Sequence, residues 1–248
     1  MGFFKKDTQP MSGKKPLFDF GMNIRKDSWF EVFSACLGKT IANQQACSEL
    51  VVKGQNWNAN LSAGIISFGK DQYPLQFIGS ESTSSNSWLW GWENINHFPD
   101  SIIELANQTK RTGETMGLEA LTTAKFELSD TFNGHNLSIV TCAISDKNLC
   151  YYKGPHSNGA IFVAFSKVPP KVFEPVDIHR FISIAMECIQ KYHVDHRIFI
   201  QSFLFQNGTT YEIDGQTIIA HFKQDLRIEF EQIEEFQRIK NMKSNNVH

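Results

Sequence analysis

Trp88-Leu89-Trp90-Gly91-Trp92 sets three indoles at alternate positions, so on an extended strand Trp88, Trp90 and Trp92 share one face. Such a face can line a groove that stacks on a sugar, a base or a peptide ring. It can equally be the hidden side of a half-buried strand, the plainer reading because indole removes the most area from water. Just upstream, the turn Ser80 to Ser87 offers hydroxyls and amides suited to an anion. Ser80 or Ser82 becomes a nucleophile only if folding brings a base such as His97 or His156 beside it; a polar turn explains the same residues. Glu81, Glu93 and Glu104 could supply the paired carboxylates of glycoside hydrolysis, although solvation accounts for each separately. His193-Val194-Asp195-His196 puts two imidazoles on one helical face, with Glu187 or His221 as a third ligand for zinc or iron. A polar helix end is the favoured reading there. Nucleotide loops, Gly-x-Ser-x-Gly elbows and His-Glu-x-x-His helices are missing. No catalytic residue is therefore assigned and no cofactor is expected.

The elements that must position these residues are marked by local signals. Ser28-Trp29-Phe30-Glu31 is a capping box, and the apolar spacing from Trp29 to Val51 predicts a helix that stops at Gly54. Three strands are expected at about 61–68, 74–80 and 87–93, followed by a helix opened by Pro99. Farther on, 149–154 and 160–165 read as strands around a turn, and Pro175 opens a further helix through Ile189. The recurring order of strand, polar turn, aromatic strand and Pro-led helix suggests two related halves. Asn207-Gly208 and Asp214-Gly215 are both type I′ hairpin signals, predicting a three-stranded meander over 197–222. A last helix is expected from about 225, with Leu226, Phe230, Ile233, Phe236 and Ile239 inward and its end fraying from Asn241. Residues 137–144 fit strand and helix alike.

The 248 residues are 41% hydrophobic and 20% charged, with 21 phenylalanines, an ordinary globular balance able to fill an aromatic core. The five cysteines form no Cys-x-x-Cys pair and read as reduced small hydrophobes, which predicts a cytoplasmic home. No run of about 18 apolar residues is present to span a membrane. Lys5, Lys6, Lys14, Lys15, Arg25 and Lys26 against Asp7 and Asp19 give residues 1–26 a net +4, leaving −6 of the total −2 for the rest. A mildly acidic body is a poor match for a phosphate backbone, so no nucleic-acid partner is expected.

Ile78-Gly79-Ser80-Glu81-Ser82 leading into Trp88-Leu89-Trp90-Gly91-Trp92, with the later Tyr151-Tyr152-Lys153-Gly154-Pro155, resembles an uncharacterised family of bacterial cytosolic proteins. Its members are similar in a Gly-Ser turn before a Trp-Leu-Trp-(Gly or Ala)-Trp strand, and in a Tyr-x-x-Gly-Pro turn before an aromatic strand. The resemblance covers roughly 55–170. It implies a helix at 137–144 and carries no assigned reaction.

The expected fold is α+β, with antiparallel strands packed against helices. A tail at 1–26 precedes a first half at 27–112 and a second at 113–248, the latter ending in the meander and helix. The favoured function is a non-catalytic protein-interaction module of the chaperone, adaptor or immunity type, with another protein as partner. The alternative is an enzyme or small-molecule binder with a pocket beside the Trp strand, using Ser80, Glu81, Ser82 and Glu93 as polar groups.

Overall fold

The computed structural model describes residues 18–244. The expected tail over 1–17 and the residues 245–248 lie outside them.

Helix α1, Trp29–Cys47, begins where Ser28 marks it, the Ser28 hydroxyl accepting the Glu31 amide at 3.4 Å. The capping box closes differently from its sequence form. The Glu31 carboxylate accepts the amide of Arg25 at 2.8 Å and its Nε at 2.5 Å, while the Ser28 amide donates to the Arg25 carbonyl. This hook turns residues 18–27 back over the helix, and Phe20 and Ile24 are buried with α1 in the main core. The stretch from 18 to 26 is therefore packed chain rather than tail. One π turn, Ser48–Val52, extends the helix, and Lys53 and Gly54 stop it with φ of 50° and 65°.

Strands β1, Trp57–Asn60, β2, Ile65–Phe68, β3, Asp71–Ser82, and β4, Ser87–Trp90, follow. The strand expected at 61–68 forms only over its second half, as β2, because 61–64 is the turn that joins it to β1, and the one expected at 87–93 ends at Trp90. Gly91–Glu93 turns in a 3₁₀ helix, with a Cβ at Gly91 only 2.9 Å from the Ile78 and Phe77 carbonyls, so the chain crosses the neighbouring strand closely there. After Pro99 comes α2, Asp100–Met116, then β5, Lys125–Glu127, and α3, Gly134–Ala143, a helix as the resemblance implied. β6, Cys150–His156, and β7, Gly159–Phe165, form the aromatic hairpin. Helix α4, Ile178–Lys191, is capped by the Asp177 carboxylate rather than opened at Pro175.

The last third departs most from expectation. Residues 196–206 form helix α5, His196–Gln206, and Asn207-Gly208 ends it with Gly208 at φ 70°. An Asn-Gly pair supplies a left-handed residue to a hairpin or to a helix C-terminus alike. Only Asp214-Gly215 is a hairpin turn, between β8, Tyr211–Asp214, and β9, Thr217–His221. The helix expected from 225 is instead the hairpin of β10, Asp225–Ile233, and β11, Phe236–Ser244, so residues 241–244 are paired rather than frayed. Leu226, Ile228 and Phe230 alternate inward against β9, a period-two pattern that the wider helical spacing had masked.

All pairings are antiparallel. The twelve-residue β3 is long enough to take β2 along 71–74 and β4 along 79–82, while β7 pairs along 75–82 on its opposite edge. A bulge at Ile78 offsets the β3–β7 register. Two cores lie on the two faces. Trp88, Trp90, Phe162 and Tyr151 pack under α1, α3, α4 and α5, whereas Phe68, Phe77, Val163, Phe165 and Cys150 pack with the π turn and the start of α2. The second sheet, in the order β11-β10-β9-β8, adds Ile218, Ala220, Leu226 and Ile228 to the first core. The chain is thus α+β, and among the described residues no helix is long and apolar enough to cross a membrane.

Candidate functional site

The indole face is closed. Trp88 and Trp90 are buried edge-to-face at 5.3 Å, and Trp92, in the 3₁₀ turn, stacks on Trp90 at 4.6 Å and 15°. The Trp90 Nε1 donates to the Ala120 carbonyl at 3.2 Å, but Trp88 Nε1 and Trp92 Nε1 find no partner among the described residues. These rings supply the floor of the molecule's interior rather than a groove.

Cross-strand pairing nevertheless carries that face out to an opening. Glu81 is registered with Trp88 across β3–β4 and with Ala160 across β3–β7, so its side chain projects on the indole side. On β6, Tyr151 and Lys153 take the same face at alternate positions, with Lys153 registered to Phe162, while Tyr152 turns to the other core. Where these side chains reach the end of the sheet, α1, α3 and the end of α4 leave a cleft of about 820 Å³. Its volume is in the range that encloses a small organic molecule.

One wall is polar. The Glu81 carboxylate accepts the Gly134 amide, at the first turn of α3, at 2.7 Å and the Lys153 ammonium at 3.1 Å. Glu81 is 12% exposed and Lys153 39%, so the pair lies at the boundary between interior and solvent. The Lys153 ammonium also lies over the Phe162 ring at 5.4 Å. The His135 Nδ1 faces the Tyr151 hydroxyl at 3.4 Å. Although part of His135 is open to solvent, the protein around its ring disfavours the charged form and Lys153 repels it, so its pKa is lowered. Burial pushes the Tyr151 phenol well up and Tyr192 up to about 12, so both are neutral hydrogen-bonding groups. The opposite wall is aromatic: Trp29 stacks on Phe33 at 5.7 Å, and Phe33 meets Tyr192 edge-on at 5.7 Å.

Of the candidate site residues read from the sequence, Glu81 and His193 line this cleft, and Glu81 enters its charged pair. Ser80 and Ser82 are half-buried strand residues, Ser82 Oγ lying 3.1 Å from Ser84 Oγ. Among the described residues the His156 ring makes one hydrogen bond, accepted from the Asn158 amide, and the His97 ring makes none, so neither pairs with Ser80 or Ser82. Glu93 is exposed in the 3₁₀ turn and Glu104 lines a separate depression on α2. The carboxylate pairing is replaced by a carboxylate–ammonium one.

His193 and His196 do not share a helical face. His193 precedes α5, its ring against Phe30 and Phe236, and His196 is the helix's first residue. Glu187 is held by Gln45 and His221 by Asp225, and no group of three His, Cys, Asp or Glu gathers to hold a metal among the described residues. Asp195 caps α5 by accepting the Arg197 and Ile198 amides, both at 2.9 Å. The His196 Nδ1 accepts the Ile239 amide of β11 at 3.1 Å, which docks the second sheet onto α5. Burial, with Arg238 adding repulsion, pushes the His196 pKa down to about 4 from its ordinary 6.5. Below pH 6.5 the unfolded chain binds a proton that the folded state refuses, so stability should fall between about pH 6.5 and 4 and level off below. His196→Asn, whose Oδ1 keeps the acceptor without titrating, should flatten that slope in urea denaturation curves; an unchanged slope would assign it to other groups.

Sequence reading missed His135, Tyr151, Lys153 and the Trp29–Phe33 wall. The alternation of Tyr151 and Lys153 was a usable signal, because a strand puts them on one face. His135 lies in no motif and becomes legible only through the packing of α3 over the sheet. Residues 31–168 match the model of a family described as "Family of unknown function (DUF6882)". A search of the curated proteins and a search of the solved structures each found no match.

Proposed function

We propose a function from the cleft itself, because the chain belongs to the DUF6882 family and that family's description assigns it no activity. The protein is a small-molecule binder that takes an amphiphilic ligand between the aromatic wall of Trp29, Phe33 and Tyr192 and the polar wall of Glu81, Lys153 and His135. The observation that carries this reading is the convergence of a part-buried ion pair, a neutral imidazole and a buried phenol on one opening of about 820 Å³. Ligand sites combine an apolar lining with a few placed polar groups in this way.

The cleft is preferred over a protein-interaction module because the exposed large apolar side chains among the described residues do not come from one helix or strand face. Ile95, Met186, Phe205, Ile213 and Ile233 lie on five different segments, and no one segment concentrates them. The five cysteines, all buried as small apolar groups, support placing the protein in the cytoplasm.

A thermal-shift screen of polar metabolites tests the proposal. A ligand present at 100 times its Kd contributes about 2.7 kcal/mol, enough to raise the melting temperature by several degrees. Thr131→Trp, which fills the cleft from an exposed rim position, should abolish the shift while leaving the unliganded melting temperature within about 2 °C. A shift that survives this variant places the ligand elsewhere.

A further inference from the structure

Building on the proposed binding function, we infer that the cleft selects a ligand with an anionic head, a carboxylate or a phosphate, joined to a flat ring. The inference comes from which hydrogen-bonding capacity the cleft has already spent. Both oxygens of Glu81 are committed, Oε1 to the Gly134 amide and Oε2 to Lys153. Each oxygen keeps a spare lone pair, but a cationic head that reaches for it comes against the Lys153 ammonium already held there. An anionic head brings only acceptors and leaves that pair intact.

The cleft's free cationic donors are of the matching kind. The Lys153 ammonium has three protons and gives one to Glu81. Lys191, at the end of α4, forms no ion pair among the described residues and lies 5.5 Å from the centre of the Tyr192 ring, at the border of the aromatic wall. The amide nitrogens of Asn133 and Asn136 are turned away, bonded to the Ser129, Asp130 and Thr131 carbonyls, so they offer nothing to a ligand. The one acid without such a commitment is Asp130, which is exposed at the rim. An anion held at Lys153 and Lys191 would place its ring against Trp29, Phe33 and Tyr192.

Three probes with one ring and different heads test this in the full chain by ligand-observed NMR titration: indole-3-acetate, tryptamine and 3-methylindole. Indole-3-acetate should bind about tenfold more tightly than 3-methylindole, as one charge-assisted contact provides, and tryptamine should bind most weakly. Lys191→Gln should weaken indole-3-acetate about three- to tenfold and narrow its advantage over 3-methylindole. Tryptamine binding as tightly as indole-3-acetate overturns the anionic head while leaving the cleft in use; Asp130→Asn would then reveal whether the rim acid holds the amine. Binding of none of the three overturns the ring-and-anion ligand. The cleft reading fails separately, on a ligand-induced thermal shift that Thr131→Trp does not remove.

Discussion

Trp90→Ala should cost about 3–5 kcal/mol of folding stability, the range for removing a buried aromatic side chain, read as a lower urea midpoint at unchanged slope. Trp90 is 1% exposed, edge-on to Trp88 and stacked on Trp92, and its Nε1 satisfies the Ala120 carbonyl. Alanine would leave a cavity between two indoles and strand that carbonyl. Trp90→Phe separates the two effects: it keeps most of the packing and loses the hydrogen bond, so it should cost clearly less than alanine. Acrylamide quenching of the unmodified protein gives an independent check. Trp88 and Trp90 should be shielded, leaving Trp29 and Trp57, which are partly exposed, as the quenched fluorophores. A loss below about 1 kcal/mol for the alanine variant would refute the closed indole floor.

The second large effect is expected at Gly159. It opens β7 with φ 148°, a conformation that L residues rarely adopt, and a Cβ there would overlap the Glu81 carbonyl oxygen. Gly159→Ala should therefore destabilise by more than about 2 kcal/mol, because backbone strain and a backbone clash add and neither can be relieved by turning a side chain. Asn158→Ala, one residue earlier in the same turn, provides the comparison. Its side chain makes no hydrogen bond among the described residues, so it should cost about 0.5 kcal/mol or less. Since the Gly159 turn abuts the residue that holds Lys153, the glycine variant should also weaken binding of whichever ligand the thermal-shift screen identifies. Full stability in Gly159→Ala would mean that β3 and β7 do not approach as closely as described.

Several elements were legible because their signals are local. Ser28 fixes the start of α1, since only a side chain at that position can take the Glu31 amide. Asp214-Gly215 fixes the β8–β9 turn, and the alternation of Trp88 and Trp90 fixes which side of β4 faces inward. Other elements carried signals that two structures satisfy. Asn207-Gly208 provides the left-handed residue that both a hairpin and a helix end require. His196 to Gln206 is apolar at so many positions that neither period stands out; in the fold Asp195 caps it as a helix, and Phe203 lies close against Gly38 on α1. Leu226, Phe230 and Ile233 suit a helix, but Leu226, Ile228 and Phe230 suit a strand, and the open edge of β9 decides in favour of the strand.

The sequence by itself determined the α+β composition, the first helix's start and the inward side of the Trp strand. Each follows from interactions within a few residues of the chain or from the need of an apolar face to leave water. Tertiary structure alone decided the candidate site. Glu81, Gly134 and Lys153 lie far apart in sequence and meet because β3 pairs with β7, β7 pairs with β6 and α3 closes over that face. Such a meeting depends on strand order and register, and no spacing within one segment encodes either.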